Sequence, residues 1–424
     1  METLTKLLLY VVQLSGAVIL SPVFWILVGI IGYQYVRMGR IKTHLFGVSD
    51  LSIVRVTLVS TLFGLLGGLF GSFLMVLFGV TIPGNGLFYI LILAVILMMI
   101  HPRFLCFAYA GGFLSLVSLV WGFPKLNVPH LMALIAILHV VESILIRLSG
   151  HLDALPVYTY NGVGQEVGGF SLQKFWPIPL IVMSIIIGGD TGGGSGLGMP
   201  AWWPLLNPGV PDSSNQVYGL LPAIVGLGYG ELALTRSPRQ RSRLSAWTLG
   251  WYSLILLGLA MLASYYPILS WAAAIFAPLG HEAVVHRSLR NELEGPPRYV
   301  ISARGVRLLD VFRPSSAFAS GLRGGDVISE VGGIPIRSRD DLLQAFMVSP
   351  NPVEVRYWRK DEQSSQESAE RLYKVMLDRS WPEFNGLILV PGYGGEKYLE
   401  FRTNGYFIRW IERWKKAKIN NNDE

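Results

Sequence analysis

The sequence predicts a polytopic α-helical membrane domain followed by a small soluble α+β domain. Of its 424 residues, 51% are hydrophobic and only 15% are charged, against roughly a quarter charged in soluble domains. The charge is also unevenly divided, because residues 1–280 hold 21 charged side chains and residues 281–424 hold 42. The first part therefore has the composition of a lipid-facing chain, and the second has that of a soluble one.

Ten apolar runs are the candidate membrane segments of residues 1–280. They are 7–20, 24–36, 53–80, 87–100, 104–123, 131–146, 175–189, 218–234, 247–263 and 268–279. Several are shorter than the ~20 residues that a spanning helix needs, and Ser21-Pro22 divides the first stretch into a hairpin or a helix with a re-entrant segment. Since lipid offers the backbone no hydrogen-bond partners, we expect helices in these runs, about eight to ten in all.

The basic residues predict the orientation of the membrane domain. Twelve of its thirteen lysines and arginines lie on one side if the N-terminus is cytoplasmic and all ten runs cross, and Lys125 alone lies on the other. Because basic loops stay in the cytoplasm, this bias predicts a multi-pass cell-membrane protein with a cytoplasmic C-terminal part. It also explains the net charge of +7 as topology, and we expect no nucleic-acid partner.

Alternating strand and turn patterns predict the α+β domain over residues 298–379. Strands are expected at 305–312, 327–331, 334–336, 353–359 and 371–378, and a short helix at 315–320. Ser338 and Asp341 form the capping pattern of a second helix, Arg339–Val348. Residues 281–297 are the predicted juxtamembrane linker. Residues 380–424 form a C-terminal extension with an amphipathic basic helix near 405–418, which either lies on anionic lipid or docks onto the protein.

The run GVRLLDVFRPSSAFASGLRGGDVISEVGGIPIRSRDDLLQAF resembles a PDZ domain of the bacterial protease-associated type. The shared pattern is a glycine-led strand, a small-residue helix, GL-x-x-GD-x-I, a hairpin and a helix. The resemblance implies a PDZ-like fold in which an extended peptide adds a strand beside Val306–Val311. The implied groove has a carboxylate-binding loop and an apolar pocket, formed by Arg304, Gly305, Val306, Arg307, Leu308, Leu342, Leu343 and Phe346. The pocket residues can equally be core residues, since a PDZ helix buries the face it presents.

The layout of a multipass membrane half followed by one PDZ domain is similar to that of MinJ-like cell-division topology factors. The junction Phe276–Glu282 (FAPLGHE) is similar too. This resemblance implies a membrane-embedded scaffold that recruits cytoplasmic proteins for bacterial division-site placement. The implied partners are a polar scaffold and a division-inhibitor ATPase, besides membrane lipid. The interpretation requires no catalysis, cofactor or metal, and it is compatible with a homo-oligomer.

A zinc protease of the site-2 type is the first alternative. His281-Glu282 followed by His286 is close to the HExxH motif, in which histidines four residues apart share one helical face. Here the five-residue spacing places the two histidines ~140° apart around a helix. The LDG-type motif that supplies a third ligand in that family does not occur in the sequence. The single cysteine, Cys106, also excludes a disulfide framework and a cysteine-rich zinc site.

Two further alternatives rest on short signals. Gly193–Gly196 (GGSG) matches the GxSG string of rhomboid proteases, but no histidine follows the pattern of that family's general base. Glu142 and Glu231 lie in apolar runs, where acidic residues often line a transport path. Local pairing of Glu142 with His139 is the simpler explanation for that carboxylate.

Overall fold

The computed structural model describes residues 2–47, 52–82, 84–186, 202–207, 217–313, 315–360, 370–378 and 386–392. Within these residues the N-terminal part contains eight α-helices. They are α1 (Glu2–Leu20), α2 (Pro22–Phe46), α3 (Ile53–Phe78), α4 (Gly84–Ile100), α5 (Phe107–Trp121), α6 (Val128–Ser149), α7 (Pro238–Tyr265) and α8 (Leu269–Glu294). A 3₁₀ turn, Pro102–Leu105, links α4 to α5.

Three of the described helices, α3, α6 and α7, are long and apolar enough to cross a membrane. A fourth span is added if α1 and α2 count as one broken span, although the two helices are bent by 65° where they meet. Ser21 caps α2 and Pro22 occupies its first turn, where the missing N–H of proline costs nothing. The predicted break at Ser21-Pro22 is therefore confirmed, and the helices support association with a membrane.

Two of the ten runs are strands, and the expectation of helices there was wrong. The chain forms an antiparallel sheet in the order β1 (Leu155–Tyr160), β2 (Glu166–Ile186) and β3 (Val217–Ala233). Strands β2 and β3 are paired from Phe170↔Ala233 to Ile186↔Val217, so they cover most of runs 175–189 and 218–234. Because β2 and β3 pair with each other, the facing edges of the two strands are satisfied without a helix.

Two prolines explain why β2 is not helical. Pro177 and Pro179 lie near the middle of β2, and in a helix over this segment each would remove a hydrogen bond and clash with the preceding turn. In a strand, residues two apart direct their backbone N–H groups to the same edge, and a proline at that edge leaves no donor to satisfy. The two prolines therefore suit the edge of β2 that is not paired with β3.

Helix α3 covers this edge of β2. Gly64 and Gly68 lie against the carbonyl groups of Pro177 and Pro179 so closely that a Cβ atom on either glycine would overlap the carbonyl oxygen. One turn further along α3, the Ser72 hydroxyl accepts a hydrogen bond from the Ile181 N–H at 2.8 Å. Four residues of helix advance ~6 Å and two residues of strand advance about 6.7 Å, so the two series stay in register.

The ends of the covered edge are satisfied by other side-chain and backbone groups. The Phe175 N–H donates to the Tyr35 hydroxyl at 3.2 Å, and that hydroxyl also lies 2.7 Å from the Ser60 Oγ. At the other end the Ile82 N–H donates to the Met183 carbonyl at 2.9 Å. The outward N–H groups of Phe175 and Ile181 and the Met183 carbonyl are thus paired by neighbouring elements, which reduces the cost of placing this strand edge away from water.

The C-terminal unit has the predicted order of elements. Its strands are β4 (Val306–Val311), β5 (Val327–Val331), β6 (Ile334–Pro335), β7 (Val353–Lys360), β8 (Glu370–Leu377) and β9 (Leu387–Leu389), and its helices are α9 (Ser316–Ala319) and α10 (Arg339–Val348). The main sheet runs β8-β7-β5-β4-β9, with β6 paired to β5. Its core contains Val306, Leu308, Ile328, Leu342 and Val355.

The predicted linker is part of a helix. Helix α8 continues through residues 281–294 and ends before Gly295. Its last turn is held by Glu292, whose carboxylate accepts from the Leu234 and Thr235 N–H groups at 2.8 Å each. The two halves of the chain are therefore connected by a helix whose last turn is hydrogen-bonded to the backbone that follows β3. Of the predicted extension 380–424, the structure describes residues 386–392, and the proposed amphipathic helix near 405–418 lies outside the described residues.

The orientation can be tested with reporters. A fusion at Glu424 is expected to report the cytoplasm and a fusion at Ser213 the outside, because the basic residues predict a crossing on each side of Ser213. Fusions to a phosphatase and to a fluorescent protein measure the two compartments, and a fusion at Lys125 serves as the outside control. Cytoplasmic signal at Ser213 would contradict a crossing by residues 175–189.

Candidate functional site

Helix α10 of the C-terminal unit begins where its sequence predicts. The Ser338 hydroxyl accepts from the Asp341 N–H at 3.1 Å, and the Asp341 carboxylate accepts from the Ser338 N–H at 2.9 Å. This reciprocal pair is a capping box, which fixes the first turn of α10. Hydrogen bonds from the backbone of Arg337 and from Ser338 lower the pKa of Asp341. The cap therefore fixes where α10 begins.

A half-buried ion pair holds the turn before β5 against β7. Asp326 is 2% exposed and accepts two hydrogen bonds of 2.7 Å from the Arg359 guanidinium. Arg359 also donates to the Gly321 carbonyl at 2.8 Å. The hydrogen bond to Asp326 raises the pKa of Arg359. The sequence pattern singled out the GD turn but not Arg359, because its partner is 33 residues away.

The structure distributes the eight predicted groove residues between core and surface. Val306, Leu308, Leu342 and Phe346 are all buried in the core of the C-terminal unit, while Leu343 is half-buried. Gly305 is also buried, has φ +150°, and has no room for a Cβ against the Ile328 carbonyl. Arg304 is exposed and pairs with Glu370 at 2.8 Å, and Arg307 is half-buried. The side chains named for an apolar pocket thus pack mainly into the core.

Both edges of β4 are occupied in this structure. On one side Val306 is paired with Ile328 of β5. On the other side β9 is antiparallel to β4, with Leu308↔Leu389, Asp310↔Ile388 and Val311↔Leu387 as partners. An incoming peptide could add to β4 only where β9 leaves. The strand-addition site stays a prediction, and in this structure the chain itself fills it.

Strand β9 also contacts the membrane domain. The Tyr158 hydroxyl of β1 donates to the Leu389 carbonyl at 2.7 Å, while the Val390 N–H donates to the Arg307 carbonyl of β4 at 3.0 Å. Ile388 and Val390 are buried in the same hydrophobic core as Tyr158 and Phe170. The segment 386–392 therefore lies between the sheet of the C-terminal unit and the sheet of the membrane domain.

The C-terminal unit is packed against the membrane domain at further points. Tyr299, Leu309 and Phe312 belong to the hydrophobic core that also contains the membrane helices. The Lys42 ammonium of α2 lies 4.8 Å from the centre of the Phe312 ring, within cation–π range. The Gly168 N–H of β2 donates to the Tyr299 carbonyl at 3.3 Å. The two halves are thus one packed structure rather than a membrane anchor with a loose module.

The residues considered for catalysis or transport have other surroundings. His281 and His286 both lie on α8, so the helical geometry that separates them is confirmed, while Gly193–Gly196 lies outside the described residues. Glu231 is hydrogen-bonded to Tyr229 and Ser288 and pairs with buried Arg241 at 3.2 Å.

The proposed pairing of Glu142 with His139 is not among the contacts of that histidine. The two ring nitrogens of His139 contact the Ile135 carbonyl and the Cys106 sulfur instead. Glu142 thus remains a candidate intramembrane carboxylate without an assigned role.

The chain is similar to the cell division topological determinant MinJ of Bacillus subtilis (strain 168). The two sequences are 24% identical over 358 residues, which covers 78% of this chain and 84% of MinJ. No family model matches the chain, and no solved structure matches it. This distant similarity supports a MinJ-like relationship. The PDZ assignment rests on the sequence pattern and on the order of elements in the C-terminal unit.

Proposed function

We propose that the chain is a MinJ-like determinant of division-site placement, which acts as a membrane-embedded scaffold without catalysing a reaction. The observation that carries the proposal is the extent of the similarity to MinJ. The match covers 78% of the 424 residues. This is more than the 280 residues of the predicted membrane domain, so the match includes parts of both halves. The shared feature is therefore the combined layout rather than an apolar composition alone.

The packing of the two halves supports a scaffold with a fixed geometry. Because the C-terminal unit shares a core with the membrane domain, a cytoplasmic partner bound to it is held at a set distance from the bilayer. In our proposal the partner's peptide replaces β9 beside β4 and takes over the same backbone hydrogen bonds. Strand β9 has only three residues, so a longer peptide gains more pairs than it displaces.

The position of the septum tests the proposal in the native bacterium. Cells without the chain are expected to place septa away from midcell, and the wild-type chain fused to a fluorescent protein is expected to restore placement and to localise at septa or poles. A Leu308→Glu chain, altered in the core of the C-terminal unit, should not restore it. Leu372→Glu changes a leucine that is 50% exposed, so this control should restore it.

Two results would argue against this function. Normal septum placement in the absence of the chain would remove the division role. A diffuse membrane signal from a fusion that is fully expressed would separate the chain from the division site and favour a different membrane function.

A further inference from the structure

Three metal-ligating side chains converge where α5, α6 and α8 meet. Cys106 immediately precedes α5, His139 lies on α6 and His281 on α8. The Cys106 Sγ is 3.2 Å from the His139 Nε2 and 3.7 Å from the His281 Nε2, and one ligand atom from each residue lies within 4.8 Å of the other two. The cluster is enclosed, since His139 is 3% exposed and the other two residues are half-buried.

The hydrogen bonds of the two histidines decide which ring nitrogen carries the proton. The His139 Nδ1 is 2.7 Å from the Ile135 carbonyl, and a carbonyl only accepts, so Nδ1 is the protonated nitrogen. The His281 Nδ1 is 3.2 Å from the Tyr109 hydroxyl, which donates its own proton to Glu282 at 2.7 Å. The His281 Nδ1 is therefore the donor in that contact. Both Nε2 atoms are left with a lone pair directed towards Cys106.

This arrangement leaves the cluster with fewer hydrogen-bond donors than acceptors. The Cys106 thiol has one proton to donate and two imidazole lone pairs face its sulfur, so one of the two Nε2 atoms is left without a donor inside the cluster. Buried acceptors without a partner are costly. A cation bound at the centre, with the thiol deprotonated, satisfies all three atoms together.

The two sulfur–nitrogen distances suit a tetrahedral ion. Zinc is bound by thiolate sulfur at about 2.3 Å and by imidazole nitrogen at about 2.0–2.1 Å, which places sulfur and nitrogen ligands about 3.5 Å apart. The observed separations of 3.2 and 3.7 Å lie on either side of that value. Ligating histidines also usually donate their second N–H to a carbonyl or carboxylate system, as His139 does to Ile135 and His281 does through Tyr109 to Glu282.

We propose that Cys106, His139 and His281 bind a zinc ion in the membrane domain. The ion links the start of α5 to α6 and α8, and α8 leads directly into the C-terminal unit. Three protein ligands leave a fourth position for water or another ligand. His286 is not needed as a ligand, although it lies on the same helix as His281, because the other two ligands come from other elements. Arg103, which pairs with Glu282 at 3.2 Å, holds the outer carboxylate in place.

Metal analysis of the purified full-length protein tests this site. The wild-type protein from zinc-supplemented cells is expected to contain about one zinc ion per chain. Cys106→Ser and His281→Ala should lose it, while His286→Ala, an exposed histidine on the same helix, should retain it. Tyr109→Phe removes the acceptor of the His281 N–H and should weaken zinc affinity roughly 10–100-fold. Size-exclusion profiles in detergent confirm that each variant is folded.

Cobalt provides a readout that does not depend on variants. The metal-depleted wild-type protein with Co²⁺ should develop the charge-transfer absorption of a thiolate–cobalt bond, and Zn²⁺ should abolish it. A wild-type protein that contains no zinc and gives no such band would overturn the proposal, as would zinc retained equally in Cys106→Ser and His281→Ala. If these variants do not fold, the cobalt spectrum of the wild-type protein decides.

Discussion

The Leu308→Glu chain is expected to lose the folded C-terminal unit while its membrane helices remain inserted. Leu308 is fully buried, in one core with Val306, Leu342 and Phe346. This core is apolar, and burying an unpaired charge in it costs several kcal/mol or more. That is comparable to the whole stability of a domain, roughly 5–15 kcal/mol. Limited proteolysis of membrane vesicles should therefore degrade the C-terminal unit and spare the membrane domain.

Leu372→Glu is the matched control, because Leu372 is half-exposed on β8 and its glutamate stays in water. This variant should resist protease as the wild-type protein does. A protease-resistant Leu308→Glu chain that has lost only its partner would place Leu308 in a peptide groove after all. That result would return the residue to the role implied by the PDZ resemblance.

Gly68→Val is expected to disrupt the membrane domain. A Cβ on Gly68 overlaps the carbonyl oxygen and ring of Pro179, and neither can turn aside as a flexible side chain would. Overpacking of this kind costs about 3 kcal/mol, at the upper end of the usual range. Separation of α3 from β2 would also expose the strand edge, including the N–H of Ile181 that Ser72 accepts. The yield of monodisperse protein in detergent and its thermal transition measure the effect.

Gly258→Val is the control for this change. Gly258 lies on α7 with no heavy atom within 4 Å of a built Cβ, so the same valine in another apolar helix should be tolerated. Equal behaviour of the two variants would contradict close packing of α3 on β2. It would also weaken the assignment of residues 166–186 to a strand.

The C-terminal unit illustrates what local sequence can predict. Arg339–Val348 and Val327–Val331 begin and end where the capping and turn residues place them. Those signals act within a few residues, so they are legible in one sequence. Strand β9 was not predicted, because a three-residue strand is defined by the partner it pairs with rather than by its own pattern.

The membrane strands could not be separated from helices by apolar content. A fully buried strand and a buried helix are both continuous apolar runs, and periodicity does not distinguish them. Pro177 and Pro179 are the residues that disfavour a helix in this segment. They are accommodated in a strand because Gly64 and Gly68, more than a hundred residues earlier in the chain, let α3 pack closely on that strand edge.

The candidate site shows the same limit. Cys106 is 33 residues from His139 and 175 from His281, so no spacing rule connects the three. A motif search detects ligands on one element, as for His281 and His286, and only a folded structure brings together ligands from three. For the predicted groove residues the difficulty is different. The strand and the helix that contain them were predicted correctly from local patterns, but these patterns do not determine which face of each element packs into the core.

The cover over β2 has a consequence for biosynthesis. Tyr35, Ser72 and the two glycines of α3 all precede β2 in the chain, so ribosomes complete the partners of this strand edge before they complete the strand. A β-hairpin emerging alone into lipid would carry its unpaired edge into a medium without donors or acceptors. Here the earlier helices form a template on which the hairpin can be assembled as it is synthesised. An inserted chain that lacks α3 has no such template, and the outer edge of β2 is left without the partners that α3 provides.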